Sequence, residues 1–334
     1  MRKNIVNELN VSERASISRF SAYGGSPNKE GWIYFERSDG RLLNTALMES
    51  GWMMKNITLL PVKDANGQAY TVGSRQLHTG REISGRFRRR ITANSTPFEL
   101  VETETNAFLP YPDLVAMINT SKEGELERMM ETFFDRAVAL DMLRVGFNGL
   151  RVGWPTKPDE NPNGEDINKG WHTIAKDFNK GSQVLTDAIT LGAGGDFPHL
   201  DALANHIIQT KIPQGLREDP RLVVMVGSEL AAAERLRLFN GADTPANAAA
   251  AQAATSSIAG RFAFVPPFMP GKRLTVTTLS NLHIYTQDGT QKARAGFNDE
   301  ESAYEHSYLR SEGYALQDGM MYAAVDESAI TLKS

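Results

Sequence analysis

The most informative segment of the chain reads FFDRAVALDMLRVGFNG, from Phe133 to Gly149. It closes a long amphipathic helix that we predict over residues 120–146, with Thr120 and Glu123 at capping-box spacing. One apolar stripe follows helical spacing: Leu126, Met129, Met130, Phe133, Ala137, Leu140 and Leu143. At about 1.5 Å per residue, this helix would be roughly 35–40 Å long, which suits a structural spine.

A second segment, GAGGDFPHLDALANHIIQTKIPQGLREDPRLVVMVG, runs from Gly192 to Gly227. It predicts a glycine turn, a helix over residues 197–209 capped by Asp196, and a buried strand over residues 222–226. Ser228 would then cap a helix that ends near Phe239. Further strands are predicted at residues 274–278, 282–286, 302–309 and 320–325.

The N-terminal half alternates short elements with long polar stretches. Short helices are expected at residues 5–20 and 41–54, and a surface loop followed by a short helix at residues 153–178. Residues 57–62 and 70–72 read as a hairpin that turns at Asn66-Gly67. The polar stretch from Gly73 to Pro112 is too long for an ordinary loop, and a two-stranded arm would account for it.

Composition excludes several classes of protein. The 334 residues carry a net charge of -4 and contain no cysteine, so disulfides and thiolate sites are impossible. A protein that wraps nucleic acid would usually be basic. The sequence shows neither the apolar core of a signal peptide nor a membrane-length apolar run. We therefore expect a soluble protein made in the cytosol, with no membrane partner.

No segment carries a convincing catalytic or metal-binding motif. The turn Gly192–Gly195 lacks the third glycine of a dinucleotide site, since Phe197 occupies that position. His199 and His206 are two helical turns apart, too far for one metal ion. Ser228 lies in VGSEL rather than in a nucleophile elbow, so a helix cap explains it better. We predict no enzyme activity, catalytic residue, cofactor or metal.

An unusual concentration of arginine precedes the long helix. The arginines are Arg75, Arg81, Arg86, Arg88, Arg89 and Arg90, and Glu82 is the one acid among them. In a strand, Arg86, Arg88 and Arg90 would share one face. We hypothesise that this arm docks on an acidic surface of an adjacent subunit. One candidate is the ridge of the long helix formed by Glu123, Glu127 and Glu131. Nucleic-acid binding is the rival interpretation.

Several blocks of the sequence, in this order and spacing, resemble one family. They include LLNTALMES, NITLLPVKDANGQAYTVG, FFDRAVALDMLRVGFNG, EDPRLVVMVGSEL and the segment from LSNLHIYTQDG to MMYAAVD. Together they span about Leu42 to Val325, and GFNG at residues 146–149 is the most diagnostic. The chain resembles the P2-like major capsid proteins of tailed phages, which have the HK97-like capsid fold.

The resemblance implies an α+β, HK97-like fold and a set of domain bounds. Residues 1–34 would form an N-terminal arm, the part that a prohead protease often trims in such proteins, and residues 55–112 an extended β-hairpin loop. A peripheral domain would comprise residues 35–54 and 113–189, with the spine helix at 120–146. Residues 190–283 would form the axial domain, and residues 284–334 would be C-terminal strands returning to the peripheral domain.

The same resemblance implies a function as a major capsid protein. Its copies would build hexamers and pentamers of an icosahedral phage head around double-stranded DNA, assembling as a procapsid that then matures. Scaffolding protein, prohead protease and portal would be partners, with weak, non-specific DNA contact. Assembly would take place in the host bacterial cytoplasm, and the product would be the virion capsid. The alternative is an encapsulin-like, non-viral shell of the same fold.

Overall fold

The structure, a computed structural model, describes residues 25–27, 32–35, 52–72, 78–90, 93–120, 125–240 and 256–333. The chain divides into two compact units. Unit 1 comprises Met1–Asn66, Glu99–Leu143 and Ile284–Gly313, and unit 2 comprises Gly67–Phe98, Arg144–His283 and Tyr314–Ser334. The domain bounds that the family resemblance implies remain predictions. Within the described ranges, no helix has both the length and the apolar character needed to cross a membrane.

Helices and strands contribute about equally to the fold. The helices are α1 (Trp52–Asn56), α2 (Tyr111–Thr120), α3 (Glu125–Asn148), α4 (Trp171–Asp177), α5 (Leu200–Lys211) and α6 (Ser228–Asn240). The strands are β1 (Gly25–Pro27), β2 (Ile33–Phe35), β3 (Thr58–Val62), β4 (Asn66–Val72), β5 (Ala93–Glu99), β6 (Val101–Pro110), β7 (Val184–Leu185), β8 (Ile189–Leu191), β9 (Leu222–Val226), β10 (Ser257–Ile258), β11 (Arg261–Phe264), β12 (Leu274–Thr278), β13 (Leu282–Gln287), β14 (Lys292–Asn298), β15 (Ala303–Leu316), β16 (Ala323–Val325) and β17 (Ile330–Leu332).

The largest sheet has the order β1-β2-β14-β15-β13-β3, with β6 also paired to β15. β15 lies antiparallel to both β14 and β6, and Glu305 is opposite Gly296 on one side and Phe108 on the other. The neighbouring position, His306, turns its ring to the opposite face and lies 4.2 Å from the ring of Phe134 in α3. One face of this sheet therefore packs against the long helix.

Unit 2 contains a six-stranded sheet of order β10-β11-β9-β12-β16-β7. The central strand β9 is the apolar run LVVMV, and four of its five residues are buried. Such a run is typical of a strand covered on both faces. Helix α5 contributes Leu203, Ala204 and Ile207 to the same core, all fully buried. The predicted strands at residues 222–226 and 274–278 are thus confirmed.

A buried aromatic group joins the end of α3 to α4 within unit 2. The ring of Trp171 lies 5.4 Å from Phe147 and 5.6 Å from Tyr314, both in edge-to-face geometry. Its indole Nε1 donates a hydrogen bond to the carbonyl of His283 at 3.0 Å. The GFNG block therefore has a packing role, because Gly146 leaves the space that the indole occupies.

The predicted hairpin of residues 57–62 and 70–72 is wrong. β3 pairs with β13, whereas β4 pairs with β5, so the two runs belong to different sheets. Asn66 and Gly67 begin β4 instead of turning the chain. β4 and β5 do pair, and residues 78–90 lie in the connection between them. The pair differs from the two-stranded arm predicted for residues 73–112, because β4 ends at Val72 and β6, inside that stretch, pairs with β15.

The long helix begins later than predicted and has a different buried stripe. Thr120 is the last residue of α2 and not the cap of α3, and Glu123 lies outside the described residues. Phe134 is 4% exposed, whereas Phe133, assigned to the stripe from its spacing, is 63% exposed. Apolar residues occur on more than one face of this helix, so their spacing alone does not identify the face that packs against the sheet.

The cap predicted for α5 is also wrong. His199 is the N-cap residue, and its Nδ1 accepts a hydrogen bond from the backbone N–H of Ala202. Asp196 instead accepts hydrogen bonds from the backbone N–H and the hydroxyl of Thr190 at 2.8 and 2.7 Å. These bonds hold the pKa of Asp196 below its ordinary value. These hydrogen bonds of Asp196 thus link the glycine turn to β8.

Candidate functional site

The arginine-rich arm is the first candidate site. Residues 78–90 adopt neither helix nor strand, so the expected strand near Arg86 is not formed in the single chain. Five arginines of this segment are exposed: Arg81, Arg86, Arg88, Arg89 and Arg90. With Glu82 as the one acid, they give the segment a net charge of +4. Residues 78–90 therefore form a solvated, strongly basic segment.

The ring of Phe87 makes two local contacts within the arm. The guanidinium of Arg89 lies 5.7 Å from the centre of the Phe87 ring, within cation–π range. A Cβ added at Gly80 would lie 2.6 Å from that same ring, so the phenylalanine covers the glycine. Ile83 is fully exposed. Among the described residues, Arg81, Arg86, Arg88 and Arg90 form no ion pair.

The described residues do not test the acidic ridge as a partner of the arm. Glu127 and Glu131 lie on α3, but their side chains, like the whole of Glu123, are outside the described residues. Docking of the arm on this ridge therefore stays a hypothesis.

A second acidic surface, which the sequence did not indicate, lies on β6. Exposure alternates strictly along this strand, with every second side chain turned to solvent. The exposed set is Glu102, Glu104, Asn106, Phe108 and Pro110. Phe108 is 70% exposed, which is unusual for a large aromatic side chain in a sheet. The alternating pattern VETETNAFLP was the available signal, but two of its five inward residues are threonines, which weaken the apolar alternation.

A buried polar network in unit 2 resembles a metal site at first sight. His172, Asp326 and Glu327 offer ligand atoms within 4.8 Å of one another. However, Arg273 donates two hydrogen bonds of 2.8 Å to Glu327, and Lys176 forms an ion pair with Asp326. A cation would have to displace both. The arrangement is an ion-pair network and not a metal centre.

The hydrogen bonds of this network define the state of His172. Its Nδ1 faces the hydroxyl of Tyr322 at 3.2 Å and its Nε2 faces Asp326 at 3.2 Å. Burial lowers the pKa of His172 to about 4, so near neutral pH the ring is uncharged. Tyr322 then donates to Nδ1, and Nε2–H donates to Asp326. That last bond, followed by those from Lys176 and Ser328, holds the pKa of Asp326 well below its ordinary range.

The remaining sequence candidates have structural roles. The ring of His206 packs 5.2 Å from that of Phe197, and His199 caps α5. Ser228 is the first residue of α6, and its predicted role as the helix cap stays a prediction. In the turn, a Cβ added at Gly195 would lie 2.6 Å from the carbonyl of Thr190, so this glycine permits close packing of the loop. None of these side chains converges on another within the described residues.

Comparison with known proteins agrees with a structural role. The family described as "Phage major capsid protein, P2 family" matches residues 28–328. The chain is 23% identical over 300 residues to the capsid proteins of Escherichia phage P2, covering 85% of this chain and 82% of that protein. It is 22% identical over 308 residues to the major capsid protein of Serratia phage KSP20, covering 86% of each.

The fold is also found in solved shells. A chain of the satellite phage P4 procapsid that includes the size determination (Sid) protein superposes with a TM-score of 0.77. It is 20% identical, and the alignment covers 96% of this chain and 98% of that one. The fold is HK97-like.

Proposed function

The chain belongs to the P2 family of phage major capsid proteins, and we propose that its copies assemble into hexamers and pentamers of a closed icosahedral head. The observation that carries this proposal is the family match over residues 28–328. Weak contacts repeated over many interfaces stabilise such a shell, and symmetry closes it. A non-viral compartment of the same fold is not favoured, because the matched relatives are phage capsid proteins.

The head would enclose double-stranded DNA through weak, non-specific contact. The net charge of -4 supports this part of the proposal, because a shell that gripped DNA tightly would be basic. Scaffolding protein, prohead protease and portal would be the other partners, and assembly would take place in the host cytoplasm before the shell becomes part of the virion. The chain would perform no catalysis.

Contacts between subunits would be made in part by the arginine-rich arm. Its unpaired positive charges repel one another in an isolated subunit, and an acidic neighbour would turn this repulsion into attraction. The arm would therefore act between copies rather than within one. Arg81, Arg86, Arg88, Arg89 and Arg90 would supply the positive side of the contact, and Glu123, Glu127 and Glu131 are one possible negative side.

Electron microscopy of the purified protein tests the proposal directly. The protein would be expressed alone and together with the neighbouring genes of its source. We expect closed shells or five- and six-membered rings, and the shell diameter would constrain the number of subunits. A stable monomer or dimer in both preparations would contradict the proposed assembly.

A further inference from the structure

The outer edge of β6 is open to a partner strand. Within the described residues, β6 pairs with β15 along one edge, from Val101 opposite Glu312 to Pro110 opposite Ala303, and with nothing along the other. An edge strand of this kind presents a row of unpaired backbone N–H and C=O groups. At ten residues it is longer than an average strand, so the exposed row is long.

The charge on this edge is negative. Glu102 and Glu104 are exposed and form no ion pair among the described residues. The exposed acids Asp299, Glu300 and Glu301 occupy the turn before β15. This turn lies beside the far end of β6, because Tyr111 donates a backbone hydrogen bond of 3.0 Å to Ser302. Acidic side chains therefore flank the strand at both ends.

The spacing of arginines in the arm matches the spacing of glutamates on β6, and their charges are opposite in sign. Alternate residues of an extended chain are separated by about 6.6 Å on one face. This spacing holds for Glu102 and Glu104 in β6, and it would hold for Arg88 and Arg90 once the arm adopts an extended conformation. Nucleic acid would use the arginines but would leave the strand edge unpaired.

We propose that residues 86–90 of one copy add as an antiparallel strand to the outer edge of β6 in a second copy. In this register Arg88 lies opposite Glu104, Arg90 opposite Glu102 and Arg86 opposite Asn106. Backbone hydrogen bonds supply affinity and the arginine–glutamate pairs supply register, as in other strand additions. The proposal rests on the proposed shell assembly and names the acceptor surface for the arm.

Cysteine cross-linking tests the register, and the chain offers a clean background because it contains no cysteine. The variant R86C/N106C places two thiols directly opposite each other across the proposed strand pair, within disulfide range. We expect particles of this variant to give covalent multimers on non-reducing gels. The matched control R86C/E127C keeps the same arm cysteine and places its partner on the ridge of α3.

The outcomes separate this proposal from the shell itself. Multimers with the residue 106 partner support it. Multimers with the residue 127 partner, or shells that cross-link with neither, overturn it and leave the capsid function intact. Absence of shells from the unmodified protein overturns the proposed assembly, and the strand addition falls with it.

Charge exchange provides a second test that does not depend on thiol chemistry. R88E/R90E should reduce shell yield at least tenfold, and adding E102R/E104R to the same chain should restore it. Restoration by E127R/E131R instead would overturn the proposal. If R88E/R90E shells form normally but retain less DNA, the arm binds nucleic acid and the proposal is also overturned.

Discussion

The protonation of the buried residue His172 is coupled to folding. Its pKa is lowered to about 4 in the folded chain, against an ordinary value of 6.5, mainly by burial. Between those two values the unfolded chain binds a proton that the folded chain does not. The free energy of unfolding therefore falls as pH decreases from 6.5 towards 4, by up to about 3 kcal/mol.

Urea denaturation of the unassembled protein, repeated across this pH window, measures the effect. His172→Asn should reduce the pH dependence between pH 6.5 and 4, although it lowers stability at pH 7; part of the dependence should remain, because burial also lowers the pKa of His283. His206→Asn is the matched control for loss of a histidine, because His206 is exposed. The loss of the Asp326 contribution belongs to lower pH, since a depressed carboxyl pKa matters below its unfolded value. Equal slopes for the unmodified protein and H172N would contradict this assignment.

Replacing Gly146 with alanine would have two opposing effects on the free energy of unfolding. Alanine is favoured over glycine in a helix by about 1 kcal/mol. A Cβ at this position, however, would lie 2.4 Å from the ring of Trp171, which is held by its hydrogen bond to His283 and by two aromatic neighbours. Overpacking of a fixed ring costs more than the helix gains.

We expect Gly146→Ala to lower the free energy of unfolding by about 1–2 kcal/mol. Gly215→Ala is the control, because no atom lies within 4 Å of the added Cβ there and the change should stay within about 0.5 kcal/mol. Chemical denaturation measures both. A stabilised G146A protein would mean that the Trp171 ring moves aside without cost.

At the scale of elements, the long helix shows which features the periodicity of apolar residues predicts and which it does not. Its existence and its end near Gly149 follow from the sequence, because apolar residues recur at helical spacing and glycine follows. The sequence does not identify the buried face of the helix, because Phe133 and Phe134 are adjacent and equally apolar. The choice between them depends on β15, which places His306 against Phe134 and lies far along the chain.

The two phenylalanines make a matched pair for experiment. Phe134→Ala should lower the free energy of unfolding by about 3 kcal/mol, because it removes a buried ring from the contact between helix and sheet. Phe133→Ala should change it by less than about 0.5 kcal/mol, because that ring is 63% exposed. Denaturation of the unassembled chains compares them. Similar losses in both variants would contradict the packing described for α3.

Strand pairing was less accessible to prediction than strand identity. The run at β9 could be recognised because it is continuously apolar, and the run at β12 because it is rich in β-branched residues. The pairing of β3 with β13 could not be predicted, because the turn signal at Asn66-Gly67 is local, whereas β13 lies over two hundred residues away along the chain. β6 is harder to recognise from the sequence, because three of its five inward residues are threonine or alanine, whose apolar signal is weak.

At the scale of the whole molecule, the single chain carries two complementary surfaces, the basic arm and the acidic edge of β6. They are different surfaces, so a contact between them is heterologous and joins subunits head to tail. Such contacts generate rings when the rotation between neighbours closes. The family could be recognised from the order of sequence blocks, but the acceptor edge could not, because it needs the register of β6 on β15.

The salt dependence of assembly follows from this arrangement. The charges involved are exposed, and the Debye length falls from about 10 Å at 0.1 M salt to about 3 Å at 1 M. Light scattering should therefore show slower assembly of the unmodified protein as sodium chloride rises over this range. Contacts made by apolar burial alone would not weaken in this way. The variant R88Q/R90Q should assemble more slowly at low salt and respond less to added salt, because its missing charges are those being screened. Equal salt responses in the two proteins would place the electrostatic contact elsewhere on the shell.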